Sequence, residues 1–378
     1  MDVVIKKPKV VIALNTAWNL LNFRAGLILA LINHGYEVVA VAPNDEYADR
    51  VRSLGCQFIA LPMDNQGKNP LKDLALWWRY RRLLKSLNPD VFLGFTVKPN
   101  VYGSLAAHSL GIAVINNIAG LGSAFMKDNW LTTLVKGLYR FALARSARVF
   151  FQNQDDLKSF VELGLVNPSV VDRLPGSGVD LQKFQPSPPA VDNGRVVFLL
   201  AARMLWDKGV GEYVQAATAL KAEHPHAEFA LLGFLDVQNP TAIDRKQIQA
   251  WEAEGGVCYW GATDDVRHAL TKADVVVLPS YREGTPRILL EAAAMGKPIV
   301  TTDVVGCRDV VDDGINGYLC QARDPADLAR AMEKMLSLTS PDRQSLGVLG
   351  RKKVETTYSE QFVISKYLES IEAVLTAQ

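Results

Sequence analysis

Two glutamates, Glu283 and Glu291, stand with seven residues between them in the run Ser280–Thr302. Glu283 opens the turn-forming sequence Glu-Gly-Thr-Pro, and Glu291 sits among Leu289, Leu290, Ala292 and Ala293. The pattern predicts the end of a buried strand, a turn at Gly284-Thr285-Pro286, and a helix opening at Pro286, where a missing N–H costs nothing. A helix N-terminus gathers unpaired backbone N–H groups and partial positive charge, so it suits an anion. One carboxylate then precedes the helix and the other lies inside it. Carboxylates accept hydrogen bonds from vicinal hydroxyls. The combination fits a ligand bearing both hydroxyls and phosphates, of which a nucleotide sugar is an example. Burial of Glu291 without a ligand or partner would be costly, whereas Glu283, in a loop, is easier to explain as a plain surface charge.

Arg203 and Lys208 follow the apolar run Val196–Ala201. That places them at the carboxyl edge of a strand, where open α/β sheets bind ligands. Two cations there match the charge of a diphosphate, and in a group transfer they would stabilise charge building on the leaving group. As isolated loop charges they would say little; the glutamates downstream favour a site. Two carboxylates also fit the acid and nucleophile of a glycosidase.

The scaffold that must hold these residues is written as strands alternating with helices. Apolar runs at 9–14, 37–42, 58–61, 91–95, 113–117 and 148–152 alternate with helical stretches, including a long one at 71–87 and another at 101–110. Continuous apolar strands between helices predict a parallel sheet covered on both faces. The segment 185–194 is rich in Pro, Gly and polar residues and reads as a linker. Beyond it the alternation restarts at 196–201 and runs to a terminal helical region at 345–376. The expected organisation is α/β, with two Rossmann-like doubly wound parallel-sheet domains facing a cleft. Residues 1–184 form the first, acceptor-binding domain and 195–355 the nucleotide-sugar domain, with a helix at 356–378 returning to the first. The first βα turn, Asn15–Arg24, lacks Gly-x-Gly-x-x-Gly, which argues against a redox dinucleotide there.

Composition narrows the class further. A net charge of +1 argues against a general nucleic-acid binder, and the four scattered cysteines form neither a zinc set nor a disulfide framework. No apolar run reaches the roughly 18–20 residues of a membrane span. No Asp-x-Asp motif lies in a suitable βα loop, so no metal and no cofactor is expected. The reading is a soluble or membrane-surface protein.

Arg203 and Lys208 after a strand, followed by Glu283-Gly-Thr-Pro and Leu290-Glu-Ala292, resemble the signature of retaining glycosyltransferases of family 4, which have the GT-B fold. The resemblance spans nearly the whole chain. Phe95–Gly103, Asn116–Gly122 and Gly176–Phe184 resemble segments of bacterial members that extend undecaprenyl-diphosphate-linked sugars, among them an α-1,3-N-acetylgalactosaminyltransferase. The resemblance implies that Arg203 and Lys208 hold the diphosphate of a UDP-sugar donor and that Glu291 accepts from the ribose. Glu283 would lie near the donor sugar, with Gly284, Thr285, Pro286 and Arg287 contributing backbone contacts. It also implies retention without a protein nucleophile, against the glycosidase reading. One departure stands out: the histidine many members carry after the fourth N-terminal strand is missing. Thr96, Lys98 and Asn100 are the polar candidates there. Asn15, Thr16, Gly120 and Gly122 complete the set expected near the acceptor or the transferred sugar.

A lipid-linked acceptor would call for a membrane surface. Trp77, Trp78, Arg79, Arg81, Arg82 and Lys85 load one helix with aromatic and cationic side chains, a combination suited to an anionic headgroup boundary. The stretch Trp130–Arg145 is a second basic, apolar candidate. Basic outer faces are also ordinary on sheet-covering helices. The expected place is the cytoplasm, peripheral on the inner face of the cytoplasmic membrane. Two other functions share the fold: a UDP-sugar 2-epimerase, which needs no acceptor, and a non-catalytic nucleotide-sugar-binding protein.

Overall fold

Short apolar runs rich in Val, Ile, Ala and Phe become strands buried on both faces, as parallel sheets require. The computed structural model describes residues 7–64, 69–120, 130–186, 194–235, 237 and 239–377. The chain divides into two compact units, one of residues 1–177 with 361–378 and one of residues 178–360. The predicted linker at 185–194 falls largely on 187–193, outside the described residues.

In the first unit the strands are β1 (Lys9–Ala13), β2 (Glu37–Ala42), β3 (Gln57–Ala60), β4 (Val91–Phe95), β5 (Ala113–Ile118), β6 (Arg148–Phe151) and β7 (Val171–Arg173). They form one seven-stranded parallel sheet in the order β3-β2-β1-β4-β5-β6-β7. Its helices are α1 (Ala17–Asn33), α2 (Ala48–Arg52), α3 (Pro70–Leu87), α4 (Ser104–His108), α5 (Trp130–Leu143) and α6 (Gln154–Glu162). Local chemistry sets their ends. The Thr16 hydroxyl caps α1 by accepting from the Asn19 N–H at 3.0 Å. Asn69 caps α3 ahead of Pro70, and Asn88 ends it in the left-handed region at φ 44°. The helix expected at 101–110 is instead a π-helical turn, Pro99–Gly103, running into the short α4. Strand β7, only three residues long, is too short and too polar for the apolar-run signal that finds the others.

The second unit contains β8 (Val197–Ala201), β9 (Glu228–Leu232), β10 (Cys258–Tyr259), β11 (Val275–Leu278), β12 (Ile299–Thr302) and β13 (Gly317–Cys320). These make a six-stranded parallel sheet ordered β10-β9-β8-β11-β12-β13. It carries α7 (Val210–Glu223), α8 (Arg245–Ala253), α9 (Arg267–Lys272), α10 (Arg287–Ala294), α11 (Pro325–Ser337) and α12 (Ser340–Thr357). The terminal helical region is broken at Tyr358 and Ser359, where the backbone pairs with Val179. The last helix, α13 (Glu360–Thr376), buries Val363, Tyr367 and Ile371 in the core of the first unit.

In both sheets the strand order reverses beside the first strand, between β1 and β4 and between β8 and β11. Chain connections leave such a switch point in opposite directions and open a crevice at the carboxyl ends of the strands, the preferred ligand position in open α/β sheets. The loops after β8 and β11 carry Arg203, Lys208 and Glu283. Those after β1 and β4 carry Asn15, Thr16, Thr96 and Lys98. Topology therefore sorts the candidate residues to the two edges able to use them.

Candidate functional site

The second unit carries the more elaborate edge. Lys208 sits in the 3-10 turn after β8, and its ammonium is ion-paired with the Glu283 carboxylate. The Ser280 hydroxyl donates to the same Glu283 oxygen at 2.7 Å. Both side chains are mostly shielded, with 19% of Lys208 and 13% of Glu283 exposed. The loop carrying Glu283 is fixed from below: Thr302 Oγ1 donates to the Ser280 carbonyl at 2.5 Å, and the Glu283 N–H donates to the Val305 carbonyl at 3.1 Å. Gly306, at φ 83°, lies directly against the Glu283 and Gly284 carbonyls, where any Cβ would collide with them. Beneath the pair, burial pushes the Cys307 thiol up to about 12, so it is an inert core group. Arg203 is exposed, and among the described residues its guanidinium makes no hydrogen bond or ion pair.

Pro286 caps α10 and Arg287 begins it, one residue later than the sequence predicts. Pro286 holds extended backbone (φ −72°, ψ 114°), which lets the Gly284-Thr285 turn complete before helical dihedrals begin. Glu291 lies one turn in, 12% exposed, and accepts from Arg287 Nε at 2.7 Å. Burial pushes its carboxyl above the ordinary carboxylate range, while Arg287 pulls it back. The charge of Lys183 acts with Arg287 and that of Asp265 against it. Each glutamate is thus held by a neighbouring cation, Glu283 by Lys208 and Glu291 by Arg287. Chemically this edge offers an exposed guanidinium, an ammonium, two shielded carboxylates and a helix N-terminus.

The first unit's edge is built differently. Thr96, directly after β4, has φ 61°, a strained value for a β-branched residue, and its buried Oγ1 lacks a hydrogen-bond partner among the described residues. Lys98 turns away to Asp73 on α3 at 2.6 Å, and Tyr102 Oη donates to the other Asp73 oxygen at 2.9 Å. Asn100 is 1% exposed: its Nδ2 donates to the Asn117 carbonyl at 2.8 Å and its Oδ1 accepts from Asn116 at 2.9 Å. Asn117 in turn donates to Tyr367 Oη of α13 at 2.8 Å. Lys98 and Asn100 are therefore engaged inside the protein, and Thr96 is the one of the three whose side chain has no hydrogen bond among the described residues. Asn15 accepts from Asn19 Nδ2 at 2.6 Å, and the Thr16 hydroxyl is occupied as the α1 cap. Gly120 has φ 142° in the loop after β5, while Gly122 lies outside the described residues.

Comparison with known proteins decides the family. A profile described as "Glycosyl transferases group 1" matches residues 195–338, and one described as "Glycosyl transferase 4-like domain" matches residues 23–176. The sequence is 29% identical over 371 residues to the "N,N'-diacetylbacillosaminyl-diphospho-undecaprenol alpha-1,3-N-acetylgalactosaminyltransferase" of Campylobacter jejuni, covering 94% of this chain and 96% of that one. The chain belongs to the family 4 glycosyltransferases. It is also 23% identical to the Escherichia coli "UDP-Gal:alpha-D-GlcNAc-diphosphoundecaprenol alpha-1,3-galactosyltransferase", over 71% of this chain and 73% of that one. Among solved structures, Anabaena HepE in complex with UDP and glucose has a TM-score of 0.77 at 16% identity, over 97% of this chain and 99% of its own. A glycosyltransferase from Rickettsia africae reaches 0.79, also at 16%, over 99% of this chain. These two likenesses speak to fold, and the fold is GT-B.

The helix singled out as a membrane surface divides between two environments in this glycosyltransferase. Trp77 packs against the core beside Leu76 and Tyr80. Arg79 donates to the Ala75 carbonyl at 3.3 Å, and Arg81 donates to Ser109 Oγ at 3.2 Å while lying 5.8 Å from the Trp78 ring centroid. The outward stripe is Leu71 (77% exposed), Leu74 (54%) and Trp78 (55%), continued by exposed Arg82 and Lys85. Leu71 and Leu74 were not marked by the sequence because α3 has an apolar inner face as well. Lys183, Asp265, Glu212 and Tyr281 also escaped it. Each acts through a partner far away in the chain, which no local pattern announces.

Proposed function

We propose that this glycosyltransferase moves a sugar, an N-acetylhexosamine such as GalNAc, from its UDP donor to a saccharide carried on undecaprenyl diphosphate, with retention of anomeric configuration. The observation that carries the reading is the cation and carboxylate set at the second unit's switch point: Lys208 on Glu283, Arg203 exposed beside the same strand end, and Glu291 shielded on the helix that follows. Arg203 and Lys208 bind the diphosphate. Glu291 accepts from the ribose hydroxyls, and Glu283 faces the sugar ring. Gly284, Thr285, Pro286 and Arg287 supply contacts at the helix start. In the first unit Thr96 is the polar group available to the incoming acceptor.

The transfer is a front-face displacement. The acceptor hydroxyl forms the new bond to the anomeric carbon on the side from which UDP leaves. The carbon–oxygen bond to the β-phosphate breaks, and the hydroxyl proton passes to the departing phosphate oxygen. Arg203 and Lys208 offset the charge that develops there, in the manner of preorganised electrostatic stabilisation. No protein carboxylate forms a bond to the sugar, and no metal takes part. Resemblance to the Campylobacter and Escherichia enzymes, whose names specify diphosphoundecaprenol acceptors, supports the acceptor class. The apolar and cationic stripe of α3 supports an anionic bilayer on the cytoplasmic side as the meeting place. No helix among the described residues is long and apolar enough to cross a membrane.

A panel of UDP-sugars offered with an undecaprenyl-diphosphate saccharide in anionic vesicles tests this reading. We expect one donor to be turned over only with acceptor present, unaffected by chelator, and lost in Arg203→Ala and Glu283→Ala. Arg82→Glu with Lys85→Glu should release the protein from the vesicles. Donor conversion without acceptor would instead indicate an epimerase, and UDP binding without turnover a non-catalytic protein. Full activity of both alanine variants would remove the site, and a sugar trapped on Glu283 would remove the front-face step.

A further inference from the structure

The Lys208 turn and the Glu283 loop lie on neighbouring strand ends, and contacts join them residue by residue. Gly209, at φ 71°, presses against the Pro279 carbonyl, where a Cβ could not fit. The Tyr281 N–H donates to the Asp207 carbonyl at 3.0 Å. The Tyr281 phenol then reaches past the turn and donates to Glu212 Oε1, in the first turn of α7, at 2.6 Å. Lys208 and Glu283 close the series. From the other side, the Arg323 guanidinium lies 4.5 Å over the Tyr281 ring, carried by a backbone at φ 62°. Tyr281 thus bonds the loop to the helix that begins immediately after Lys208 and Gly209.

The chemistry of the bond is lopsided in an informative way. The second oxygen of Glu212 is buried and has no hydrogen-bond partner among the described residues. A half-satisfied buried carboxylate is unfavourable. Burial and the adjacent Glu212 charge raise the phenol well above the ordinary tyrosine value, so it remains a donor at every physiological pH. A Leu at 212 would avoid the orphaned oxygen, but only an acceptor there holds the phenol.

We propose that Glu212 and Tyr281 form a pin that keeps the Lys208 and Glu283 loops in register, acting as positioning residues for sugar transfer. The inference rests on the transferase reading above. Neither side chain is assigned to the substrate. Their effect is on where the Lys208 charge stands when the leaving group departs, a placement to which catalysis is steeply sensitive.

The test uses the full-length protein, with transfer kinetics, UDP affinity and thermal unfolding measured on Tyr281→Phe, Glu212→Ala, Glu212→Gln and the double variant Tyr281→Phe/Glu212→Ala. The pin predicts that Tyr281→Phe and Glu212→Ala each lower kcat by about 10–100-fold. UDP affinity should stay within about threefold of wild type, and the double variant should be no worse than either single, as expected of two ends of one bond. Glu212→Gln, which still accepts from the phenol, should recover most of the rate. The double variant also removes the orphaned carboxylate, so its folding is secure where that of Tyr281→Phe alone is not. Undiminished kcat in Tyr281→Phe, additive losses, or a Gln variant as impaired as Ala would each overturn the pin. Wild-type protein inactive with every donor would overturn the transferase reading itself.

Discussion

The two switch points of this glycosyltransferase have the same topology and opposite internal economies of bonding. At the edge of the 178–360 unit, every candidate but Arg203 is tied to a neighbour: Lys208 and Ser280 to Glu283, and Arg287 to Glu291. At the edge of the 1–177 unit, Lys98 and Asn100 face inward, and Thr96 has a strained backbone and a hydroxyl unbonded among the described residues. The first arrangement is preorganised for an anion with hydroxyls. The second holds strain and an open valence, which functional edges retain and purely structural ones seldom do. One fold therefore makes a firmly bonded edge from charges and a sparser one from backbone.

The comparison can be broken by mutation, most severely on the preorganised side. Lys208→Ala removes the cation proposed to stabilise the leaving group and also leaves the Glu283 carboxylate without it, so kcat should fall by about 10²–10³-fold. Steady-state transfer kinetics check this, and a loss confined to KM would mean that Lys208 binds without stabilising charge. A smaller effect is expected at Thr96. Glycine adopts φ 61° without strain and carries no hydroxyl to leave unbonded, so Thr96→Gly should stabilise the fold by about 1–2 kcal/mol. It should also slow transfer. Chemical denaturation reads the first and rate the second; a destabilised variant would show that Thr96 is not strained. The smallest effect concerns pH. The Glu291 carboxyl is raised in the folded state, so it binds a proton more readily folded than unfolded. Its contribution to stability is complete below its ordinary value of 4.5 and is lost as pH rises through the raised value. Wild type should therefore lose stability relative to Glu291→Gln in urea from pH ~4 to pH ~7. A wild type that gains stability relative to the variant as pH rises would contradict the burial.

Sequence and structure agree where the signal is local. Apolar runs marked nearly every strand, and Gly284-Thr285-Pro286 marked the turn ahead of α10. The sorting of Arg203, Lys208 and Glu283 to one edge follows from strand order, which the βα alternation predicts in outline. What stayed hidden depends on partners distant in the chain. Lys98 looked available to a substrate because Asp73, 25 residues earlier, belongs to a different element. Asn100 looked like a ligand because a buried asparagine network, closed by Tyr367 some 250 residues beyond Asn117, leaves no mark on local polarity. Trp77 and Trp78 read alike in sequence, yet helical rotation packs one against the core and exposes the other. Tyr281 is a neighbour of Glu283 whose partner, Glu212, lies 69 residues away.

The central claim is that the nucleotide is held by the 178–360 unit through Glu291, with the edge around Thr96 serving the other substrate. Calorimetric titration of UDP into wild type, Glu291→Gln and Thr96→Ala tests it directly. Loss of charge-assisted bonds to the ribose should weaken UDP binding by about 10–100-fold in Glu291→Gln. Thr96→Ala should bind UDP as wild type does. UDP affinity unchanged in Glu291→Gln, or lost in Thr96→Ala, would contradict the account.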